Sequence, residues 1–352
     1  ELPSPASEYS TIYIADFKDT FDHKSICDFD IYIHPKLGSL VQVNTDDKSY
    51  IDEIQHVRRR ESIAMTPHNC FILLKQFANE DFDYEKDAKR EDLLKTISKV
   101  TDTNKDAVLG SCGLSVQYAI MMGLIHFANE NYQGKDIKFI VPPNCYGGTN
   151  DQARRVAACI SNVEIVDLPV DSGKNMVDEL EKILGDVAQK DAIPFIIAEI
   201  PTNPRVEIPE LARLRETLIK ERKTQDDKPA VSPVFILDQT FCPNVNFLGE
   251  GHYLHDVSTI SYVSGSKFPS GGLCTAGYGV ANDKASDLIE YVEKHLKLCS
   301  NEATDFQVNT LTKKMPSMNE RIANAYKNTR AFVDHIENEL PSAKINFVSH
   351  EL

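Results

Sequence analysis

Between residues 107 and 282 the chain alternates short, almost unbroken apolar runs with longer stretches of helical periodicity, and few folds accommodate that alternation. The runs are AVLGS (107–111), DIKFIVPP (136–143), VEIVDLPV (163–170), IPFIIAEIP (193–201), SPVFILDQT (232–240), STISYVSGS (258–266) and AGYGVAN (276–282). Several are apolar and β-branched at consecutive positions, as strands covered on both faces must be. Helical candidates lie between them at 113–129, 148–160, 176–189 and 208–222. Strand, helix, strand in succession predicts an α/β fold: a mostly parallel, seven-stranded sheet flanked by helices. In such a sheet, ligands bind beyond the carboxyl ends of the strands.

The flanks read differently. Residues 1–85 show mixed patterns, including STIYIADF and DIYIHP, without an interpretable motif, and are taken as a separate N-terminal segment. Helical spacing begins at REDLLKTISKV, so the large domain is expected over 86–295. After 282 the chain turns strongly helical and stops at INFVSHEL, and residues 296–352 read as the start of a C-terminal α/β domain that the chain does not complete.

Charge narrows the partners. Fifty-three acidic against 38 basic residues give a net charge of -15, which repels a phosphate backbone, so nucleic acid is not expected as a partner. No apolar stretch reaches the roughly 18 residues of a membrane-spanning helix, and the opening ELPSPASEYS lacks the basic-then-apolar order of a leader; neither membrane nor export is expected, and the location is read as cytoplasmic. The eight cysteines form no CxxC pair and are expected to be reduced, mostly buried thiols. The ten histidines show no ligand spacing, so no metal is expected.

The carboxyl ends of the apolar runs carry a consistent set of residues. GSCGLSVQYAI leads a small-residue turn into a helix, where Gly113 lets a phosphate approach the backbone N–H groups; Ser111 serves equally as a plain N-cap. PPNCYGGT sets Tyr146 on a glycine-flanked loop, able to stack on a planar ligand or move a proton. EIPTNP offers Asn203 as donor and acceptor, or as an ordinary turn residue. VFILDQT ends on Asp238, a carboxylate at the mouth of an apolar strand that needs a donor or a cation. SGSK places Ser264 and Ser266 before Lys267, whose amine loses solvation beside buried apolar surface and becomes nucleophilic. Singly, each has a structural reading. Together, on successive strand ends, they describe a site for pyridoxal 5′-phosphate: lysine for the Schiff base, aspartate for the pyridine nitrogen, an aromatic for the ring, amides and hydroxyls for the phosphate.

These motifs resemble the Cys/Met-metabolism family of fold-type I pyridoxal-phosphate enzymes, which includes cystathionine γ-synthase, cystathionine lyases and methionine γ-lyase. The resemblance covers about 107–340. It implies that Cys112, Gly113 and Leu114 form the phosphate turn, with cysteine where serine is usual, and that Tyr146 of YGGT stacks on the ring. It also implies that Asn203 of PTNP lies near the phenolic oxygen, that Asp238 and Thr240 of DQTF hold and flank the ring, and that Ser264, Ser266 and Lys267 of SGSK bind phosphate and aldehyde. The implied chemistry is β- or γ-elimination, or γ-replacement, on a small cystathionine-, homoserine-ester- or cysteine-like amino acid through an external aldimine, with Lys267, Asp238 and Tyr146 catalytic. The implied assembly is a homodimer or homotetramer with shared active sites.

Departures accompany the match. The family's Y-x-R segment has no counterpart in residues 1–100, Gly272 stands where a histidine is usual, and the carboxylate-binding arginine is expected beyond Leu352. The sequence alone leaves open another fold-type I enzyme, such as an aminotransferase or lyase, or a degenerate paralogue acting as a scaffold.

Overall fold

The computed structural model describes residues 11–19, 26–44, 48–82, 89–104, 106–170, 175–203, 205–345 and 347. Residues 1–10, on which the expectation about a leader rested, lie outside these, as do Pro204 of PTNP and all of INFVSHEL except Ile345 and Phe347. The chain divides into two compact units, residues 1–86 with 299–301 and residues 87–298 with 302–352.

In the first unit, strands β1 (Ile12–Asp16), β2 (Phe29–His34) and β3 (Gly38–Val43) form a sheet in that order. β2 runs parallel to β1 and antiparallel to β3. Helices α1 (Lys48–Arg60) and α2 (Pro67–Phe77) follow. α2 starts where Thr66 Oγ1 accepts the Asn69 N–H at 3.3 Å and Pro67 takes a position whose missing N–H has no helical partner anyway. Its central strand buries Phe29 and Tyr32.

The second unit opens with α3 (Arg90–Thr101) and β4 (Val108–Gly110), then α4 (Gly113–Asn131), β5 (Ile137–Val141), α5 (Gly147–Cys159), β6 (Val163–Asp167) and α6 (Met176–Gln189). It continues through β7 (Ile193–Glu199), α7 (Leu211–Ile219), β8 (Val234–Asp238), β9 (Thr259–Ser264) and β10 (Gly277–Ala281), and closes with α8 (Ile289–Leu298), α9 (Asp305–Lys314) and α10 (Met318–Glu339). All seven apolar runs are strands of one sheet, ordered β4-β10-β9-β8-β7-β5-β6. β10 runs antiparallel to both its neighbours, β4 and β9, and the other pairings are parallel, as a mostly parallel sheet predicts.

Two apolar layers sandwich this sheet. Val234 and Ile236 of β8 pack with α4 and α8 on one face, while Phe235 and Leu237 pack with α3, α6 and α9 on the other. That is the period-2 alternation of a strand covered on both sides, and each such side chain contributes about 1.5–3 kcal/mol relative to exposure. β6, at the sheet edge, is only partly buried and keeps Glu164 and Asp167 in solvent. α6 begins where Asn175 Oδ1 accepts the N–H groups of Val177 and Asp178, and buries Val177, Leu180, Leu184 and Val187 at helical spacing. α9 buries Val308 and Leu311 in the same core, which is why residues 302–352 group with the sheet.

Two expectations need correction. Only Cys242 of the eight cysteines is buried, and Cys70 and Cys159 are exposed, because none of them falls in a strand and the strands carry the core. The helix after β4 is capped by Cys112 rather than Ser111: Cys112 Sγ accepts the Ser115 N–H at 3.3 Å while Ser115 Oγ accepts the Cys112 N–H at 3.0 Å. Among the described residues no helix is long and apolar enough to cross a membrane.

Candidate active site

Strand parity and register decide what meets at the carboxyl edge of the sheet. Ile193, Phe195 and Ile197 of β7, Val234 and Ile236 of β8, and Ile260 and Tyr262 of β9 all face the α4 side. Two residues further along β7 and β8, the same face carries Glu199 and Asp238. The pairing register sets Glu199 beside Asp238 and Asp238 beside Tyr262, a row of three across adjacent parallel strands. All three line one cavity of about 280 Å³.

Each of the ten residues picked out from the sequence also lines that cavity: Cys112, Gly113, Leu114, Tyr146, Asn203, Asp238, Thr240, Ser264, Ser266 and Lys267. The first three form the start of α4, where the opening N–H groups of a helix lack intrahelical partners and the dipole favours an anion. Gly113 is required there, since a Cβ would sit 2.9 Å from Ser264 Cβ and 3.0 Å from Ser264 Cα. Thr240 Oγ1 accepts the Ser264 N–H at 2.9 Å and ties the ends of β8 and β9 together. Tyr146 precedes α5 and is 50% exposed, so its ring face is open to a ligand.

Lys267 differs from expectation. It lies in the turn three residues beyond β9 and is exposed, so the loss of solvation invoked for its amine is not present. The turn lifts it off the apolar strand toward the cavity mouth, and its amine forms no ion pair or hydrogen bond among the described residues. It also borders an adjoining cavity of about 490 Å³, together with Phe241, Phe268 and Arg321. Arg321 is anchored by the carbonyls of Lys314 and Pro269 and by Ser317 Oγ.

Asp238 is buried. Its Oδ1 accepts the Thr240 N–H at 2.9 Å and its Oδ2 faces the Tyr262 hydroxyl at 3.0 Å. Burial pushes its carboxyl above the usual range, against the pull of those donors. Glu199, Gln117, Thr149 and Tyr262 also line the site, and the sequence reading passed over their part in it. The signal for Glu199 was present in EIPTNP, a second carboxylate ending an apolar strand. Gln117 is an amide 0% exposed in the apolar first half of α4.

Burial first, and then the charge of Asp238, raise Glu199 to about 7, moderated by the backbone N–H groups of Asn203 and Tyr146. Between the ordinary carboxylate range and about pH 7 the folded chain therefore holds a proton at Glu199 that the unfolded chain has released, and stability falls as pH rises through that window. The expected consequence for Glu199→Gln is a gain over the parent protein that is small near pH 4.5, grows to about 2 kcal/mol by pH 7.5 after allowance for screening, and then levels off. Urea unfolding across this range measures it; a gain independent of pH would remove the carboxylate from the account.

Comparison with protein-family models and with curated proteins finds no match to this chain. Solved structures do match. The cystathionine γ-lyase of yeast aligns with a TM-score of 0.53 and 17% identity over 74% of this chain and 60% of that one. The cystathionine γ-synthase of Xanthomonas oryzae pv. oryzae, determined in complex with cystathionine, gives 0.51 and 16% over 76% of this chain and 59% of that one. The fold is the fold-type I architecture. The resemblance read from the motifs thus extends to the backbone of the fold-type I unit, and the chain spans about three fifths of the length of these two proteins.

Proposed function

We propose that the chain is a pyridoxal-phosphate-dependent carbon–sulfur lyase or γ-synthase of sulfur amino-acid metabolism, acting by elimination or replacement on cystathionine-, homoserine-ester- or cysteine-like substrates. One observation carries the reading: the amine of Lys267 and the buried carboxylate of Asp238 line a single cavity whose third wall is a helix N-terminus flanked by serine hydroxyls. Aldehyde, ring nitrogen and phosphate are the three features such a donor set fits, so the residues present suit the coenzyme.

When bound, pyridoxal phosphate supplies an electron-withdrawing ring conjugated to the substrate's Cα. The remaining work falls to the protein. Lys267 Nζ would hold the aldehyde carbon, and the same amine would carry the Cα proton. Asp238 holds the proton on the ring nitrogen. The N–H groups at the start of α4, with Ser264 and Ser266, hold the phosphate. Tyr146 would cover the ring face, and its phenol would donate to or accept from the leaving group. The adjoining cavity, bordered by Arg321, gives the amino-acid substrate its approach. The reading carries with it a cytoplasmic homodimer or homotetramer.

Borohydride reduction of the protein incubated with pyridoxal phosphate tests it. The expected result is a stable pyridoxyl group on the peptide carrying Lys267, with loss of a yellow absorption band. Label on another lysine, or none, would refute the assignment.

A further inference from the structure

In the wall of the cavity Asp238 belongs to a small polar cluster whose other members, Gln117, Thr149 and Tyr262, the proposed chemistry does not use. Gln117 Oε1 accepts from Thr149 Oγ1 at 2.8 Å and lies 2.8 Å from the Tyr262 hydroxyl, whose other neighbour is Asp238 Oδ2 at 3.0 Å. The orientation of Gln117 follows from its other end, because its Nε2 faces the Thr149 carbonyl, which can only accept. All four residues are buried. Two acceptors therefore compete for one hydroxyl proton.

Counting protons gives two complete arrangements. With Asp238 ionised, Oδ1 accepts from the Thr240 N–H, Oδ2 accepts the Tyr262 proton, and Gln117 keeps the Thr149 proton. With Asp238 protonated on Oδ2, the acid donates to the Tyr262 oxygen and Tyr262 donates to Gln117 Oε1. Neither arrangement leaves a buried polar atom of the cluster unpaired, so passing between them costs no orphaned donor or acceptor.

We propose that Tyr262 is a positioning residue that sets the ionisation of Asp238, turning its hydroxyl from Gln117 to Asp238 as the carboxyl loses its proton. For the coenzyme this rests on the function proposed above: a ring nitrogen that reached Asp238 would take up the carboxyl's proton, and the Tyr262 hydroxyl would then hold the resulting carboxylate from behind. The other ionisable groups facing Asp238 are Glu199 from β7, Cys145 and Tyr146 from the segment between β5 and α5, and Lys267 from the turn after β9. Among these, Glu199 titrates in the window of interest, so its variant serves as the background for measurement.

The test uses the full chain without coenzyme, in the Glu199→Gln background, and follows the infrared band of the protonated carboxyl that Asp238→Asn removes. Tyr262→Phe takes a donor from the ionised state and should raise the titration midpoint by about one pH unit, a tenfold shift in the equilibrium. Gln117→Met takes the competing acceptor away, commits the hydroxyl to Asp238, and should lower the midpoint by a similar amount. Opposite shifts support the inference, whereas a change in stability with both midpoints unmoved, or moved in the same direction, overturns it. If Tyr262→Phe does not fold, the Gln117→Met midpoint alone decides: a lower value supports and an unchanged or higher one overturns. Opposite shifts in a protein that binds no pyridoxal phosphate would leave the hydroxyl switch standing and defeat the coenzyme reading; coenzyme binding without the shifts would do the reverse.

Discussion

Asp238→Ala slows exchange of the substrate's Cα proton by about a thousandfold or more, while the sheet stays folded. The magnitude follows from where the charge sits. Asp238 ends β8 with its carboxylate buried among neutral donors, the Thr240 N–H and side chain and the Tyr262 hydroxyl, while the other buried carboxylate lining the cavity, Glu199, ends the neighbouring strand. In such a setting an ionic hydrogen bond is strengthened by the absence of competing water. Truncation leaves those donors unpaired, at about 1–3 kcal/mol each, a cost the two apolar layers of the sheet can absorb. Asp238→Asn keeps the shape and one acceptor and should be more stable than Asp238→Ala, yet equally slow. Deuterium exchange at Cα, followed by nuclear magnetic resonance alongside circular dichroism, reads both quantities. Exchange within tenfold of the parent protein would strip Asp238 of its role.

Gly277→Ala has the second large effect, and it acts through packing. Gly277 opens β10 between Gly110 and Ser264, and a Cβ there would lie 2.4 Å from the Cys112 carbonyl oxygen, 2.7 Å from its carbon and 2.9 Å from the Gly113 nitrogen. These are backbone atoms at the first turn of α4, so the clash cannot be relieved by turning a side chain. Either β10 or the helix start must shift. Overpacking of this kind costs about 1–3 kcal/mol, or a midpoint of thermal unfolding lowered by roughly 2–12 °C for a unit of this size. Because the displaced atoms are those proposed to hold the phosphate, affinity for pyridoxal phosphate should fall at least tenfold in the same variant. Gly185→Ala makes the contrast: a Cβ at that position of α6 meets nothing within 4 Å, and the higher helix propensity of alanine should stabilise by up to about 1 kcal/mol without touching affinity. Equal behaviour of the two alanine variants would contradict the steric account.

Much of the architecture is legible in local pattern. Unbroken apolar runs such as FIIAE and VFILD can be satisfied only by burial on both faces, and amphipathic stretches between them can bury only one, so strand, helix and layer follow from hydrophobic periodicity alone. The helix predicted over 176–189 appears with those bounds, because an asparagine cap and four apolar positions at helical spacing mark it locally. The carboxyl-end rule then indicates where to look for a site, and it picked out residues from five different strand ends that line one cavity.

What sequence could not decide is what depends on register and depth. Whether Lys267 is buried turns on how far the chain runs past β9 before it bends, and the strand pattern carries no information about that, so the lysine came out exposed. Glu199 and Asp238 are 39 positions apart in sequence and become neighbours only because β7 pairs with β8 in one register, and a slip of one residue would turn Glu199 to the opposite face. Gln117 and Tyr262 meet because α4 lies across that same face. Apolar periodicity is a property of each segment by itself and can be read one element at a time. Proton sharing among buried groups is a property of distances between segments, which exist only once the sheet has closed its ladder and the helix has packed upon it.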